Sequence, residues 1–343
     1  LLYEKKEEEK QYKILNKKVQ SYEDNLTALS EYDDLIPKED SEWITVSADL
    51  TAEELIRLKP YFSLRPTRCA ESHLAYHLLW RPYYETRYHA DEKGILWLQK
   101  IDYDEYATMV PVCEKQYLRE NFERLQLFFK ELGTKMHMYL VDEEALEAIR
   151  PDPALYEVLE DRDSFDYIYS GEEMRCLPGR KFSKMKNRIS RFTRDYGECA
   201  EYVTLTLADE GEIRTFLERW AEGKESEDAF HRLESEEQGI FEAIRYSREA
   251  DILMAGIRVK GRLEAFSMGT VCREKNMTVT HVEKADPQLR GLYNYLEREF
   301  LTHAYPDIEL VNREDDMGLE NLRQTKERMH PICMEKKYTI IER

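Results

Sequence analysis

The sequence predicts an α/β (α+β) protein in which two mixed units follow one another behind an N-terminal helical extension. Three observations carry that prediction. The 343 residues suffice for two domains at about 150 residues each. Helix-period and strand-period segments alternate from about residue 47 to the end, a pattern of mixed sheets and not of a helical bundle. The stretch 250–273, ADILMAGIRVKGRLEAFSMGTVCR, reads as a hairpin of two apolar-rich strands across Lys260-Gly261.

Residues 1–46 form the extension. Tyr12, Leu15, Val19, Tyr22, Leu26 and Leu29 step at heptad-like intervals, a seam of about three heptads that predicts a helix docked on the body or on a second copy as a homodimer. The first unit, 47–170, opens at Thr51, whose pairing with Glu54 three residues on predicts a capping box. A helix at 72–81, two strands about a turn at 91–94, a third strand near 107–113, a helix at 117–132, a strand at 135–142, a helix at 143–150 and a strand at 163–170 follow. The second unit, 171–343, begins with a basic helix, 183–196. After it come a strand from 197, helices over 210–223 and 225–248, the hairpin, and a strand at 277–286. A helix at 289–303, a strand at 308–316, a helix at 319–329 and a final strand complete it. Trp80 and Trp220 read as core anchors.

Composition excludes several classes. Hydrophobic residues make up 42% and tyrosines number 23, which is the make-up of a folded chain. No apolar run approaches the ~20 residues of a membrane span, and LLYEKKEEEK at the start has no signal-peptide core. The six cysteines form no CxxC pair, as in a reducing compartment. These features predict a cytoplasmic protein without structural metal.

Charge is distributed unevenly. The chain carries 51 basic and 70 acidic side chains, a net charge of −19, yet seven Lys or Arg crowd 180–194 with no acid among them. Ser183 reads as the cap of this helix. Met185, Ile189, Phe192 and Tyr196 form one apolar stripe, leaving Arg180, Lys181, Lys184, Lys186, Arg188 and Arg191 as candidate contacts to a polyanion, with Asn187 for directional hydrogen bonds. A solvated helix paired to nearby acids is the competing reading.

Three blocks carry a family resemblance: FDYIYSGEEMRCLPGRKFSKMKNRISRF (165–192), HVEKADPQLRGLYNYLEREF (281–300) and VNREDDMGLENLRQTKERMHPICMEKKY (311–338). From about residue 48 the chain resembles soluble bacterial proteins related to the C-terminal domain of phosphatidylglycerol lysyltransferase. The resemblance implies two tandem GNAT-like acyltransferase domains, as in the Fem aminoacyltransferases, and aminoacyl-tRNA as donor to an amine or hydroxyl acceptor, with no bound cofactor.

Within that frame Glu283, at the end of a strand, stands where GNAT enzymes often carry a general base. Asn312, Arg313, Glu314 and Asp315, with Asp316, sit between a strand end and a helix, where open sheets form sites. Arg323 and Lys326 follow on that helix and could line the same cleft. A structural pairing of Arg313 with Glu283 or Glu314 is the alternative. An acetyl-CoA-dependent N-acetyltransferase would instead use Gln288, Arg290 and Gly291 as its pyrophosphate turn. Tyr293 occupies the place of a small residue in that turn and counts against CoA. A third reading is a non-catalytic tRNA-binding module.

Overall fold

The computed structural model describes residues 50–102, 105–221 and 227–343. The helical extension over 1–46 and the homodimer contact expected through it lie outside the described residues.

The first unit runs α1 (Ala52–Arg57), α2 (Leu74–Trp80), β1 (Glu85–Asp91), β2 (Gly94–Asp102), β3 (Glu105–Met109), α3 (Leu118–Glu131), β4 (His137–Asp142), α4 (Glu143–Ile149) and β5 (Tyr156–Glu160). β6 (Asp166–Ser170), α5 (Gly171–Cys176) and the basic helix α6 (Ser183–Tyr196) lead into the second. It continues β7 (Ala200–Leu205), α7 (Glu210–Ala221), α8 (Glu227–Arg245), β8 (Leu253–Val259), β9 (Arg262–Cys272), β10 (Met277–Ala285), α9 (Leu292–Ala304), β11 (Leu310–Asn312), α10 (Glu320–Glu327), β12 (Cys333–Glu335) and β13 (Lys337–Glu342). β5 and β12 have no counterpart in the sequence-based expectation. β5 buries only its first residue and exposes the other four, and β12 has three residues, so neither offers a period to read.

The α/β class stands, with two mixed sheets of order β1-β2-β3-β4-β13-β5 and β7-β8-β9-β10-β11-β6-β12. Each sheet is an antiparallel run that ends in one parallel pair, β3 with β4 and β10 with β11. The helices α3 and α9 supply the crossovers such pairs require. Beyond the parallel pair each sheet accepts a strand from the other half of the chain: β13 lies antiparallel to β4, and β6 antiparallel to β11. The halves therefore exchange strands. A division at 170–171 follows the chain but not the sheets, because ladder partners decide where a strand belongs.

One apolar core runs through both halves, with Leu78, Trp97, Phe216, Ile240 and Phe266 all within 1% of full burial. α2 and α8 cross so closely that a Cβ on Gly239 would lie 2.0 Å from the Leu79 carbonyl oxygen. Among the described residues Trp97 is the buried tryptophan; Trp80 and Trp220, expected as anchors, are half-buried.

The expected capping box is present at Thr51, whose Oγ1 accepts from Glu54 N at 3.2 Å while Glu54 Oε2 accepts from Thr51 N at 2.9 Å. Ser183 does not cap α6. It is the first helical residue, and its hydroxyl donates to Arg180 O at 2.7 Å. The stripe of α6 is buried at Met185, Ile189 and Phe192, each worth about 1.5–3 kcal/mol relative to exposure. Its neighbours, among them Tyr169, Tyr295 and Phe300, belong to the second sheet and α9. The helix is thus fixed to the second unit and not wedged between the two. None of the described helices is long and apolar enough to cross a membrane.

Candidate functional site

The parallel pairing of β10 with β11 sets Val279 opposite Asn312 and brings the expected acidic segment to the seam between the sheets. Asn312 is fully buried and spends every polar atom on position. Its Nδ2 donates to Arg68 O at 2.7 Å and Asp166 Oδ2 at 2.9 Å, and its Oδ1 accepts from Glu314 N at 2.6 Å. The ladder to β6 continues past the strand, with Tyr167 N donating to Glu314 O at 3.1 Å. Glu314 takes a left-handed backbone, φ 56°, which turns its carboxylate back toward the sheet.

Arg313 pairs with Glu283, the structural arrangement that competed with a free general base. Its other arm lies 2.6 Å from Glu297 Oε1 on α9. One guanidinium between two buried acids cannot compensate both. Burial raises the carboxyls of Glu283 and Glu297, and Arg313 only partly offsets it, so that Glu297 is lifted to about 8.

Arg323 and Lys326 are not open to a phosphate. Arg323 Nε donates to Asp316 Oδ2 at 3.0 Å and its Nη2 to Asp163 Oδ1 at 2.6 Å. Asp316 is fully buried; despite that burial, hydrogen bonds from Arg323, Tyr167 and the Gly318 N–H bring it down to about 2. Lys326 Nζ donates to the carbonyl of Arg313 at 2.6 Å and to that of Asp315. Burial and Arg313 push this lysine down to about 8. Both cations thus tie down the loop that carries Glu314 and Asp315. Asp315 itself is half-buried, and burial lifts its carboxyl to about 6.

Asp166, outside the expected set, is the hub. It accepts from Ala70 N at 2.8 Å, from Asn312, and from Lys337 Nζ at 2.8 Å; Lys337 also bonds Glu71. Among the described residues Cys69, Glu71 and Asp166 bring ligand atoms within 4.8 Å of one another, but the ammonium of Lys337 holds the place a metal cation would take. His73 and His77 stand four apart, the spacing of a helical metal pair, yet His73 precedes the helix as its cap and bonds Thr270, away from the partners of His77. His77 stacks on Trp97 at 5.1 Å and its Nε2 is bonded to Glu71 O at 2.9 Å.

His281, Thr270 and His73 also join the site unannounced. The β9–β10 register slips between Thr280 and Val282, making His281 the extra residue of a bulge, which re-aims a side chain. His281 Nδ1 is 2.7 Å from Glu314 Oε1, its Nε2 is 2.8 Å from Thr270 Oγ1, and Thr270 Oγ1 is 2.9 Å from His73 Nδ1. Burial drives both rings down to about 3.

The basic helix lies apart from this cluster. Arg180, Lys181, Lys184, Lys186, Asn187, Arg188 and Arg191 are all exposed. Lys181 pairs with Glu173 at 2.6 Å and Arg191 with Asp195 at 3.7 Å. Arg188 and Arg191 open onto a cleft of about 380 Å³ shared with Arg290, Gly291, Tyr293 and Asn294, not onto Asn312–Asp316. Gln288 is exposed and uses its N–H on Asp286, at 2.8 Å. Gly291 has φ 95°, and a Cβ there would lie 2.1 Å from the Arg188 carbonyl oxygen. The glycine admits the backbone of α6. From Gly291 to Glu297 is six residues, about 9 Å of helical rise, so α9 links the basic cleft to the buried acids.

Two mixed sheets with exchanged strands, a buried acid–base cluster at their seam and a basic cleft at the start of α9 define the class. The family described as phosphatidylglycerol lysyltransferase, C-terminal, matches residues 62–341, and the chain belongs to that family. A conserved protein of unknown function from Bacteroides thetaiotaomicron is similar in structure, 22% identical, with a TM-score of 0.74 over 87% of this chain and 100% of that one. L-PGS from Bacillus licheniformis is 12% identical, with a TM-score of 0.64 over 89% of this chain and 94% of that one. At those identities the likeness is one of fold. An uncharacterised protein of Mycoplasmoides gallisepticum is 21% identical over 182 residues, 52% of this chain and 56% of its own length. The chain thus spans little more than half of that relative.

Proposed function

We propose that the protein transfers an amino acid from aminoacyl-tRNA to an amine or hydroxyl acceptor. Family membership supplies the reaction class, and the observation that carries the reading is the placement of Arg188 and Arg191 on a cleft at the start of α9, whose Glu297 reaches the acid cluster. The ester of a charged tRNA is already activated, so the enzyme must mainly bind phosphate, align the two substrates and accept a proton. Arg180, Lys184, Arg188 and Arg191 would meet the phosphates near the tRNA end. Glu314, with a side chain 19% exposed, would serve as base, a better candidate than Glu283, which Arg313 holds. Two features support a donor other than acyl-CoA: the Tyr293 side chain lining the turn, and the Arg188 carbonyl filling the space that Gly291 leaves.

Labelled aminoacyl-tRNA should bind the wild type and lose affinity for Lys184→Glu/Arg188→Glu. Equal affinity in both would remove the basic helix from the mechanism. A rise in melting temperature with millimolar acetyl-CoA would redirect the reading to an N-acetyltransferase.

A further inference from the structure

Glu314, His281, Thr270 and His73 form one unbranched line of hydrogen bonds drawn from both halves of the chain. The links measure 2.7 Å from Glu314 Oε1 to His281 Nδ1, 2.8 Å from His281 Nε2 to Thr270 Oγ1 and 2.9 Å from Thr270 Oγ1 to His73 Nδ1. At the far end His73 Nε2 is buried and has no hydrogen-bond partner among the described residues. At the near end the Glu314 carboxylate is partly open, 19% exposed.

The proton count along this line is constrained. A neutral imidazole has one N–H and one bare nitrogen, and a hydroxyl has one proton to give. Burial makes an imidazolium costly at either ring, so the direction of each bond dictates the next. With Glu314 ionised, His281 Nδ1–H donates to it, the Thr270 hydroxyl donates to His281 Nε2, and His73 Nδ1–H donates to Thr270. His73 Nε2 is then a bare lone pair. With Glu314 protonated on Oε1 every bond reverses, and His73 Nε2 carries the hydrogen. The two states differ by one proton, and every link is satisfied in both.

We propose that these four side chains are a proton relay between the buried His73 Nε2 and the partly exposed Glu314. A proton arriving at His73 Nε2 moves His73 Nδ1–H to Thr270, the Thr270 proton to His281 Nε2, and His281 Nδ1–H to Glu314. The rings change tautomer and never charge. Around Glu314, burial, Asp166 on β6 and Glu236 on α8 favour the proton; Lys326 on α10 and Lys337 on β13 oppose it. Asp315, next in the chain, adds a like charge. The balance lifts Glu314 to about 8, so both states are populated near neutrality. His73 is faced by His281 and Asp166.

In aminoacyl transfer, a role that rests on the function proposed above, Glu314 takes the departing proton when it is ionised, and the relay sets whether it is. The acceptor's N–H or O–H bond breaks as its bond to the carbonyl carbon forms, the ester C–O bond breaks, and the ribose oxygen recovers the proton from Glu314. The relay itself needs no tRNA, and its test uses none.

The test is a pH series from 5.5 to ~9.5 on the full chain labelled with ¹⁵N-histidine, read by long-range ¹H–¹⁵N correlation that reports which ring nitrogen is protonated. Single His→Gln variants assign the two rings. Both rings are expected to stay neutral and to pass together from the Nε2–H to the Nδ1–H tautomer, with a shared midpoint near 8. Thr270→Val should leave the His281 exchange intact and freeze His73, and Glu314→Gln should abolish both. An imidazolium signature at either ring overturns the relay. So do rings that remain Nδ1–H throughout, which would place the proton on Glu314 Oε2, and a His73 exchange that survives in Thr270→Val. The wild-type series decides the matter even where a variant does not fold.

Discussion

Asp166 and Lys337, the first residues of the two exchanged strands, meet at the seam, where Lys337 Nζ donates to Asp166 Oδ1 at 2.8 Å and both side chains are 0% exposed. Each strand begins at this pair and then runs antiparallel beside β11 or β4. The ion pair therefore marks the point where the halves trade strands. It also anchors the candidate site, because Asp166 simultaneously holds Asn312 and the Ala70 N–H. Removing Asp166 leaves the buried Lys337 with Glu71 alone, and removing Lys337 leaves both acids buried without their cation. Asp166→Ala is expected to cost about 3–5 kcal/mol in urea denaturation followed by tryptophan fluorescence. Asp166→Asn combined with Lys337→Met should cost less than the sum of the two single changes, since it removes both charges of the pair and leaves only the Glu71 carboxyl, which burial already favours in its protonated form. Additive costs would mean that the pair contributes little as a pair.

Gly291 tests how the basic helix is held. Two constraints coincide there, a φ of 95° and the Arg188 carbonyl 2.1 Å from the Cβ position. Gly179 has a similar backbone, φ 72°, with nothing among the described residues within 4 Å of its Cβ position. Gly179→Ala should therefore show only the left-handed strain, about 1–2 kcal/mol. Gly291→Ala should lose more, because α6 must also move away from α9. Melting curves of the two variants separate backbone strain from steric crowding, and equal losses would refute the close approach as a cause.

Much of this architecture was legible because it is local. The hairpin across Lys260-Gly261 needs only two adjacent apolar strands and residues that accept positive φ, and both do so, at 53° and 78°. The stripe Met185, Ile189 and Phe192 needs only a helical period. Glu283 and Arg313 came together because their strands are neighbours. What escaped was non-local. β6 reads as a buried strand and β13 as a half-buried one, and nothing in their composition says that each pairs in the other sheet. His281 looked like one more alternate position in HVEKAD until a bulge re-aimed it. His73 reaches Thr270 across 197 positions of sequence, beyond any periodicity. Arg323 and Lys326 displayed the right charge for phosphate, but charge does not reveal which carboxylates and carbonyls already claim it.

The contribution of the basic helix to tRNA binding has a quantitative signature in salt. Arg188 is exposed and lines the cleft without an ion pair among the described residues, whereas Lys181 is paired to Glu173. Removing one cation from a bound phosphate lowers the slope of log K against log salt by about 0.7–0.9. Arg188→Ala should therefore flatten the slope by roughly that amount, and Lys181→Ala by less. Filter binding of charged tRNA between low and physiological salt measures both. An unchanged slope for Arg188→Ala would place the phosphates elsewhere on the protein.

Glu314 makes a prediction about stability against pH. Its carboxyl is lifted to about 8, first by burial and then by Asp166, while in the unfolded chain it returns to about 4.3. A carboxyl raised on folding favours the native state only while the unfolded form is also protonated. Its contribution is complete below about pH 4.3 and is lost as pH rises toward 8, with a limiting slope of about 1.4 kcal/mol per pH unit. Glutamine cannot ionise in either state. Glu314→Gln should therefore differ from wild type by a constant amount in acid, gain on it steadily as pH rises through that window, and run parallel above about 8. Other titrating groups are common to both proteins and cancel in the difference. Denaturation curves at half-unit pH steps measure the gap. A difference that stays flat from pH 4.5 to ~9 would show that the folded protein does not hold this proton.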